Sequence, residues 1–192
     1  AVGDVHMHLR SRKPLQDVLT ATRIGQPLTA CGFALEPNAE QHLRLRLTLG
    51  ARNTGAQPLA FTGALHSYFA CDDITQAQLA GLQGRPEWDS LTDGHAQGAE
   101  LLRFDAEFDC VYSGTAAPML LQEGAQGLRI SQSDSWSDTV VWNPHVAKCA
   151  ALADMEPDGW RRMLCVEAAQ VFEAVTLAPG QSWLGWQQLE LA

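Results

Sequence analysis

Two side chains in this sequence, His66 and Glu167, have the chemistry from which proton transfer can be built. His66 lies in Phe61-Thr62-Gly63-Ala64-Leu65-His66-Ser67-Tyr68-Phe69. Read with period two, Phe61, Gly63, Leu65, Ser67 and Phe69 point one way, and Thr62, Ala64, His66 and Tyr68 the other. That pattern predicts a strand with one apolar face and an imidazole in the middle of the other. Glu167 lies in Arg161-Arg162-Met163-Leu164-Cys165-Val166-Glu167-Ala168-Ala169. Leu164, Val166 and Ala168 share a face, opposite Met163, Cys165 and Glu167. A carboxylate among small and apolar neighbours is unusual, because glutamate is rarely buried without a partner. An imidazole and a carboxylate so held can trade protons with a substrate. The bland alternatives are a hydrogen-bonded structural histidine and an edge strand whose glutamate faces water.

Other polar clusters carry less. Asp72 and Asp73 are adjacent, so on a strand they would face opposite sides, and a turn is the simpler reading. His6 and His8 flank Met7 like half of a metal site, but nothing near them in sequence supplies a third ligand. The five cysteines, Cys31, Cys71, Cys110, Cys149 and Cys165, are widely spaced with no CxxC pair. Free thiols in a reducing compartment are expected rather than a disulfide framework or zinc site. No metal is called for.

The elements that must position these groups read mostly as strands. Leu43, Leu45, Leu47 and Leu49 alternate with Arg44, Arg46 and Thr48, a half-buried antiparallel strand whose arginines form a solvated face. The turn-rich segment Asn53 to Pro58 leads into the His66 strand, as in a hairpin or meander. Gly81 to Gly98 is rich in Gly, Asp, Pro and Gln and is expected to be a long loop around Trp88, a candidate cover for a ligand. Phe104 to Tyr112 carries Asp105, Glu107 and Asp109. Further short strands are expected at Leu128 to Ile130, Val140 to Trp142, Arg162 to Val166, Val175 to Leu177 and Leu184 to Leu191. Pro179-Gly180 has the chemistry of a type II turn. Ala147 to Ala153 has the composition of one or two helical turns, and Leu15, Val18 and Leu19 have helical spacing. Short strands with Gly and Pro turns indicate an all-β antiparallel sandwich.

Bulk properties agree. The 192 residues fit one domain, with 46% hydrophobic and 18% charged residues. The 22 acidic against 13 basic side chains give a formal charge of −9, which disfavours nucleic acid and anionic membrane as partners. No apolar run reaches the length of a membrane span, and no leader opens the chain, so the cytoplasm is the expected location.

Five words, in order, resemble the aldose 1-epimerase superfamily and within it the hexose-6-phosphate mutarotases. They are Ala64-Leu65-His66-Ser67-Tyr68-Phe69, Val140-Val141-Trp142-Asn143-Pro144, Ala151-Leu152-Ala153-Asp154-Met155, Arg162-Met163-Leu164-Cys165-Val166-Glu167-Ala168 and Val175-Thr176-Leu177-Ala178-Pro179-Gly180. The resemblance runs from about Leu43 to the C-terminus and is poor in the first forty residues. It implies a galactose mutarotase-like sandwich, with residues 1–192 forming the C-terminal two-thirds of such a domain. It implies that Glu167 is the base and His66 the acid in α/β anomer exchange of a hexose 6-phosphate, sharing one cleft about a sugar ring apart. Asp109, in Asp109-Cys110-Val111-Tyr112, would hold a sugar hydroxyl, although cysteine here replaces the family's arginine. Trp142 or Trp88 would offer an apolar platform for the sugar.

No cofactor is implied, and the partner is a small-molecule sugar or sugar phosphate. The family's phosphate-binding basic residues lie ahead of the matched region and transfer to no residue here. The chain is then a piece of a longer protein or a shortened relative, and a sandwich so cut would leave an edge or apolar face that invites self-association. The alternatives are a non-catalytic carbohydrate-binding module and a structural domain.

Overall fold

Alternation of apolar and polar residues resolves into strands along most of the chain. A computed structural model describes residues 28–37, 43–114, 117–153 and 155–192, with side chains described from residue 43 onward. Among them the strands are, in order, β1 (Leu28–Pro37), β2 (Leu43–Arg52), β3 (Leu59–Leu65), β4 (Tyr68–Ala70), β5 (Gln78–Ala80), β6 (Pro86–Asp89), β7 (Gly94–Gln97), β8 (Leu101–Leu102), β9 (Phe108–Ser113), β10 (Met119–Glu123), β11 (Gln126–Gln132), β12 (Asp138–Asn143), β13 (Met163–Leu177) and β14 (Ser182–Leu191). A short helix, α1 (His145–Ala151), follows β12. The pair His6/His8 and the helical spacing at Leu15 to Leu19 fall outside the described residues.

The strands form two antiparallel sheets. One runs β1-β2-β14-β11-β10-β5-β8; the other runs β3-β13-β12-β9-β6-β7, with β4 also paired to β13. Their inner faces meet in a shared core. Leu47 and Leu49 of the first sheet pack with Leu65 and Ala168 of the second, and Leu79, Met119 and Ile130 pack with Cys110, Tyr112, Val141, Leu164 and Val166. The architecture is an antiparallel β-sandwich. Leu164 and Val166 are fully buried on β13, and burial of such a side chain contributes roughly 1.5–3 kcal/mol.

The second sheet is organised around β13, where Met163 through Gln170 are buried on both faces. A strand buried on both sides must be central, so Glu167 is neither on an edge nor facing water. Two strands expected at Arg162 to Val166 and Val175 to Leu177 are one strand, interrupted by a register shift between Gln170 and Val175. The Asp138 carboxylate accepts from the backbone N–H of Val171 at 2.7 Å and of Phe172 at 3.3 Å. A side chain thus satisfies donors that the ladder leaves unpaired.

Three other expectations are corrected. The segment Asn53 to Pro58 does not close a hairpin, because β2 and β3 lie in different sheets. It is instead a crossover held by Asn53, whose Nδ2 donates to the Gln57 and Leu177 carbonyls. The stretch Gly81 to Gly98 is not a long loop but contains the β6–β7 hairpin. Its turn is organised by Asp89, which accepts from the Leu91 N–H, and by Asp93, which takes a positive φ of 56°. The arginines of β2 are only partly solvated. Arg44 pairs with Glu190 at 2.5 Å, and Arg46 bonds Gln188 and covers the Trp186 ring at 4.5 Å.

The Pro179-Gly180 turn forms with Gly180 at φ 79° and a bond from the Gln181 N–H to the Ala178 carbonyl. Asp73 caps a short 3₁₀ turn at Ile74–Gln76, and Glu123 accepts from the backbone of both Asp72 and Asp73. That acidic pair is a turn.

Candidate active site

The strand carrying His66 breaks at the histidine. The Ser67 N–H turns back to the Leu65 carbonyl at 2.8 Å, a three-residue turn centred on His66 that separates β3 from β4. Pairing with β13 resumes on either side, with Leu65 opposite Ala168 and Tyr68 opposite Cys165. That count sets His66 directly across from Glu167, where cross-strand side chains on one face meet. Their contact is direct: His66 Nδ1 lies 2.8 Å from Glu167 Oε1. The two side chains are in contact, not separated by the width of a sugar ring. The histidine side chain is 20% exposed and the glutamate 8%, so solvent reaches the pair from the imidazole side.

Strand register arranges the rest of this face in rows. Tyr68, Cys165, Trp142 and Asp109 form one row across β4, β13, β12 and β9. Beside it, Glu167, Val140, Val111 and Trp88 form the next, across β13, β12, β9 and β6. The Tyr68 ring stacks on His66 at 4.7 Å, and the Trp142 ring meets it edge-on at 5.9 Å. Aromatic contacts on two sides hold the imidazole plane. Cys165 lies beneath, and its Sγ, a His66 nitrogen and a Glu167 oxygen all fall within 4.8 Å of one another. Burial and the neighbouring Glu167 charge push the Cys165 thiol well above its ordinary range.

Asp109 sits one strand beyond Trp142, on the rim rather than against the His66–Glu167 pair. Burial raises its carboxyl above the usual aspartate range, while a hydrogen bond from Ser90 and the charge of Lys148 pull it back. Lys148, on α1, reaches Glu107 at 3.5 Å and Asp109 at 4.0 Å. Helix α1 is tied down by Asn143, whose Oδ1 accepts from the His145 N–H and whose Nδ2 donates to the Trp160 and Met163 carbonyls. The Asn143-Pro144 word is therefore a fastening between β12 and β13.

Trp88 lies three strands from Glu167, away from the pair. It packs edge-on against Phe172 at 5.8 Å and donates to Asp93, an anchor for the β6–β7 hairpin. Sequence reasoning missed Tyr68 and Cys165 as neighbours of the pair. The signal was present, since each shares its strand's face with His66 or Glu167.

Among the described residues, Cys71, Cys110, Cys149 and Cys165 are free and buried, and no helix is long and apolar enough to cross a membrane.

Comparison with known proteins bears on this arrangement. The aldose 1-epimerase family model matches residues 38–190. A Cenchrus ciliaris protein named "Putative glucose-6-phosphate 1-epimerase" is 30% identical over 155 residues, covering 79% of this chain and 46% of that protein. The chain thus spans about half that relative's length. The error-prone DNA polymerase of Burkholderia mallei is 48% identical over 77 residues, 38% of this chain but 7% of the polymerase. So small a share of that enzyme carries no polymerase activity to this chain. The crystal structure of a "putative mutarotase (YeaD)" from Salmonella typhimurium is 18% identical with a TM-score of 0.70, covering 97% of this chain and 71% of that one. At that identity the likeness shows a common fold.

Proposed function

The chain belongs to the aldose 1-epimerase family, and from that premise we propose that it is a mutarotase interconverting the α and β anomers of a hexose 6-phosphate. The observation that carries this reading is the 2.8 Å contact between His66 and Glu167, with the rings of Tyr68 and Trp142 against the partly exposed imidazole. Anomer exchange needs a base for the proton of the C1 hydroxyl and an acid for the ring oxygen. Both oxygens are bonded to C1, so acid and base must converge on one carbon. A pair in contact suits this better than one a ring's width apart.

In the forward step a Glu167 oxygen takes the hydroxyl proton while protonated His66 gives its proton to the ring oxygen. The C1–ring oxygen bond breaks, leaving an aldehyde at C1 and a hydroxyl at C5. Rotation about the C1–C2 bond presents the other face of the carbonyl. Closure returns one proton from Glu167 to O1 and one from the C5 hydroxyl to His66, so the protein ends as it began. General acid–base catalysis of this kind contributes about 10²–10⁴-fold. Asp109 orients a sugar hydroxyl, and Trp142 offers an apolar edge to the sugar's C–H face.

The phosphate rests on the name of the Cenchrus ciliaris relative and on Lys148, which brings a positive charge to the rim. The described sandwich corresponds in this reading to the C-terminal two-thirds of a mutarotase-like domain. Buried free thiols accord with a reducing cytoplasmic setting.

Anomer-exchange NMR on glucose 6-phosphate and on free glucose tests the proposal. Acceleration by the chain and not by Glu167→Gln supports it, and the substrate comparison decides the phosphate. Saturable sugar binding without acceleration would replace it with a carbohydrate-binding module.

A further inference from the structure

Three different metal-ligating side chains, His66, Cys165 and Glu167, meet on one face of the second sheet although His66 is about a hundred residues from the other two. Cys165 and Glu167 are two apart on β13 and so share a face, and His66 faces Glu167 from the neighbouring turn. Their donor atoms all lie within 4.8 Å of one another, in a setting where Cys165 is fully buried and Glu167 6% exposed. Thiolate, imidazole and carboxylate are together the ligand types of zinc. With bonds of 2.0–2.3 Å and tetrahedral angles, zinc ligands stand about 3.3–3.6 Å apart. The His66–Glu167 contact at 2.8 Å is shorter than this and the 4.8 Å limit longer. Side-chain shifts on the order of 1 Å bring all three to ligand spacing. The imidazole is 20% exposed, which gives a cation access from solvent.

We propose that His66, Cys165 and Glu167 form an inhibitory site for a soft divalent cation of the Zn²⁺ class. The cation takes the same lone pairs that proton transfer needs, so its binding and catalysis exclude each other. Softness matters because the Cys165 thiolate, formed as the cation displaces the thiol proton to solvent, prefers Zn²⁺ over Mg²⁺ or Ca²⁺, whose ligands are oxygens. The inhibitory consequence rests on the mutarotase reading, whereas the binding site itself does not.

The test uses Co²⁺ as an optical probe on the full chain, followed by competition with Zn²⁺. Expected are tetrahedral Co²⁺ absorption bands and a thiolate-to-cobalt charge-transfer band, both removed by Zn²⁺ and neither produced by Mg²⁺. Cys165→Ser abolishes the charge-transfer band and weakens binding more than about tenfold, the loss that even an outer partner of a ligand can cause. His66→Ala weakens it likewise, which keeps the test informative if one variant fails to fold. Equal Co²⁺ binding by wild type and both variants, or no thiolate band in the wild type, overturns the site. In exchange NMR, micromolar Zn²⁺ stops turnover and a chelator restores it. Spectroscopic binding in a chain that never accelerates exchange sinks the mutarotase reading and leaves the site standing. Binding with undiminished exchange sinks the inhibitory role.

Discussion

Gln187 of one sheet reaches through the core to Ser67 of the other, its Oε1 accepting from the Ser67 hydroxyl at 2.5 Å. Its Nε2 donates to the Val166 carbonyl at 2.9 Å. Gln187 is fully buried, and the two groups it joins immediately flank His66 and Glu167 in the chain. The backbone on both sides of the pair is thus fixed from across the sandwich.

Replacing Gln187 with methionine keeps length and removes both bonds. Leaving the Val166 carbonyl buried without its donor, and the Ser67 hydroxyl with only the Leu65 carbonyl at 3.3 Å, costs about 1–3 kcal/mol, measurable by urea unfolding. If His66 and Glu167 transfer protons as proposed, exchange slows at saturating sugar with little change in KM, since the loosened groups would then act in the transition state. An unchanged unfolding midpoint would show that the bridge is not structural.

His66→Ala and Glu167→Gln each lower the exchange rate by about 10²–10⁴-fold. The double variant is expected to be no slower than the slower single one, since acid and base act as a unit. Multiplicative losses, read by exchange NMR with folding checked by circular dichroism, would mean that the two act independently.

Asp109 yields a pH-dependent stability. Burial raises its folded carboxyl above the usual range, so the native chain holds a proton that the unfolded chain has released. Its contribution is complete below the unfolded value of about 3.9 and is lost as pH rises through the raised native value. Asp109→Asn is therefore more stable than wild type at neutral pH, with the difference vanishing in acid below the unfolded value. The same change weakens sugar binding if the carboxylate holds a hydroxyl. Thermal unfolding across pH, beside sugar titration, checks both.

Gly185 on β14 leaves no room for a side chain. A Cβ there would stand 2.5 Å from the Trp183 ring and 2.6 Å from Trp136 Nε1, and Trp136 is fully buried. Gly185→Ala is expected to destabilise by about 1–3 kcal/mol through overpacking. A loss below the scatter of chemical unfolding would mean that the tryptophan pair relaxes freely.

The local alternation settled which residues become strands and which face each shows. Phe61, Leu65 and Phe69 are buried while His66 and Tyr68 are only partly so, as period two requires of any strand with one face in a core. Pro179-Gly180 likewise carried its own turn, since φ preferences are local. Partners were another matter. That β2 and β3 part into different sheets, that β13 runs unbroken past its bulge, and that Trp88 sits on a hairpin all depend on contacts distant in sequence. The resemblance named His66 and Glu167, but no pattern within either strand could state that they face each other at 2.8 Å with Cys165 beneath them. Alternation is the same for every register that keeps the faces, and only packing of the two sheets, with Gln187 between them, selects the one observed.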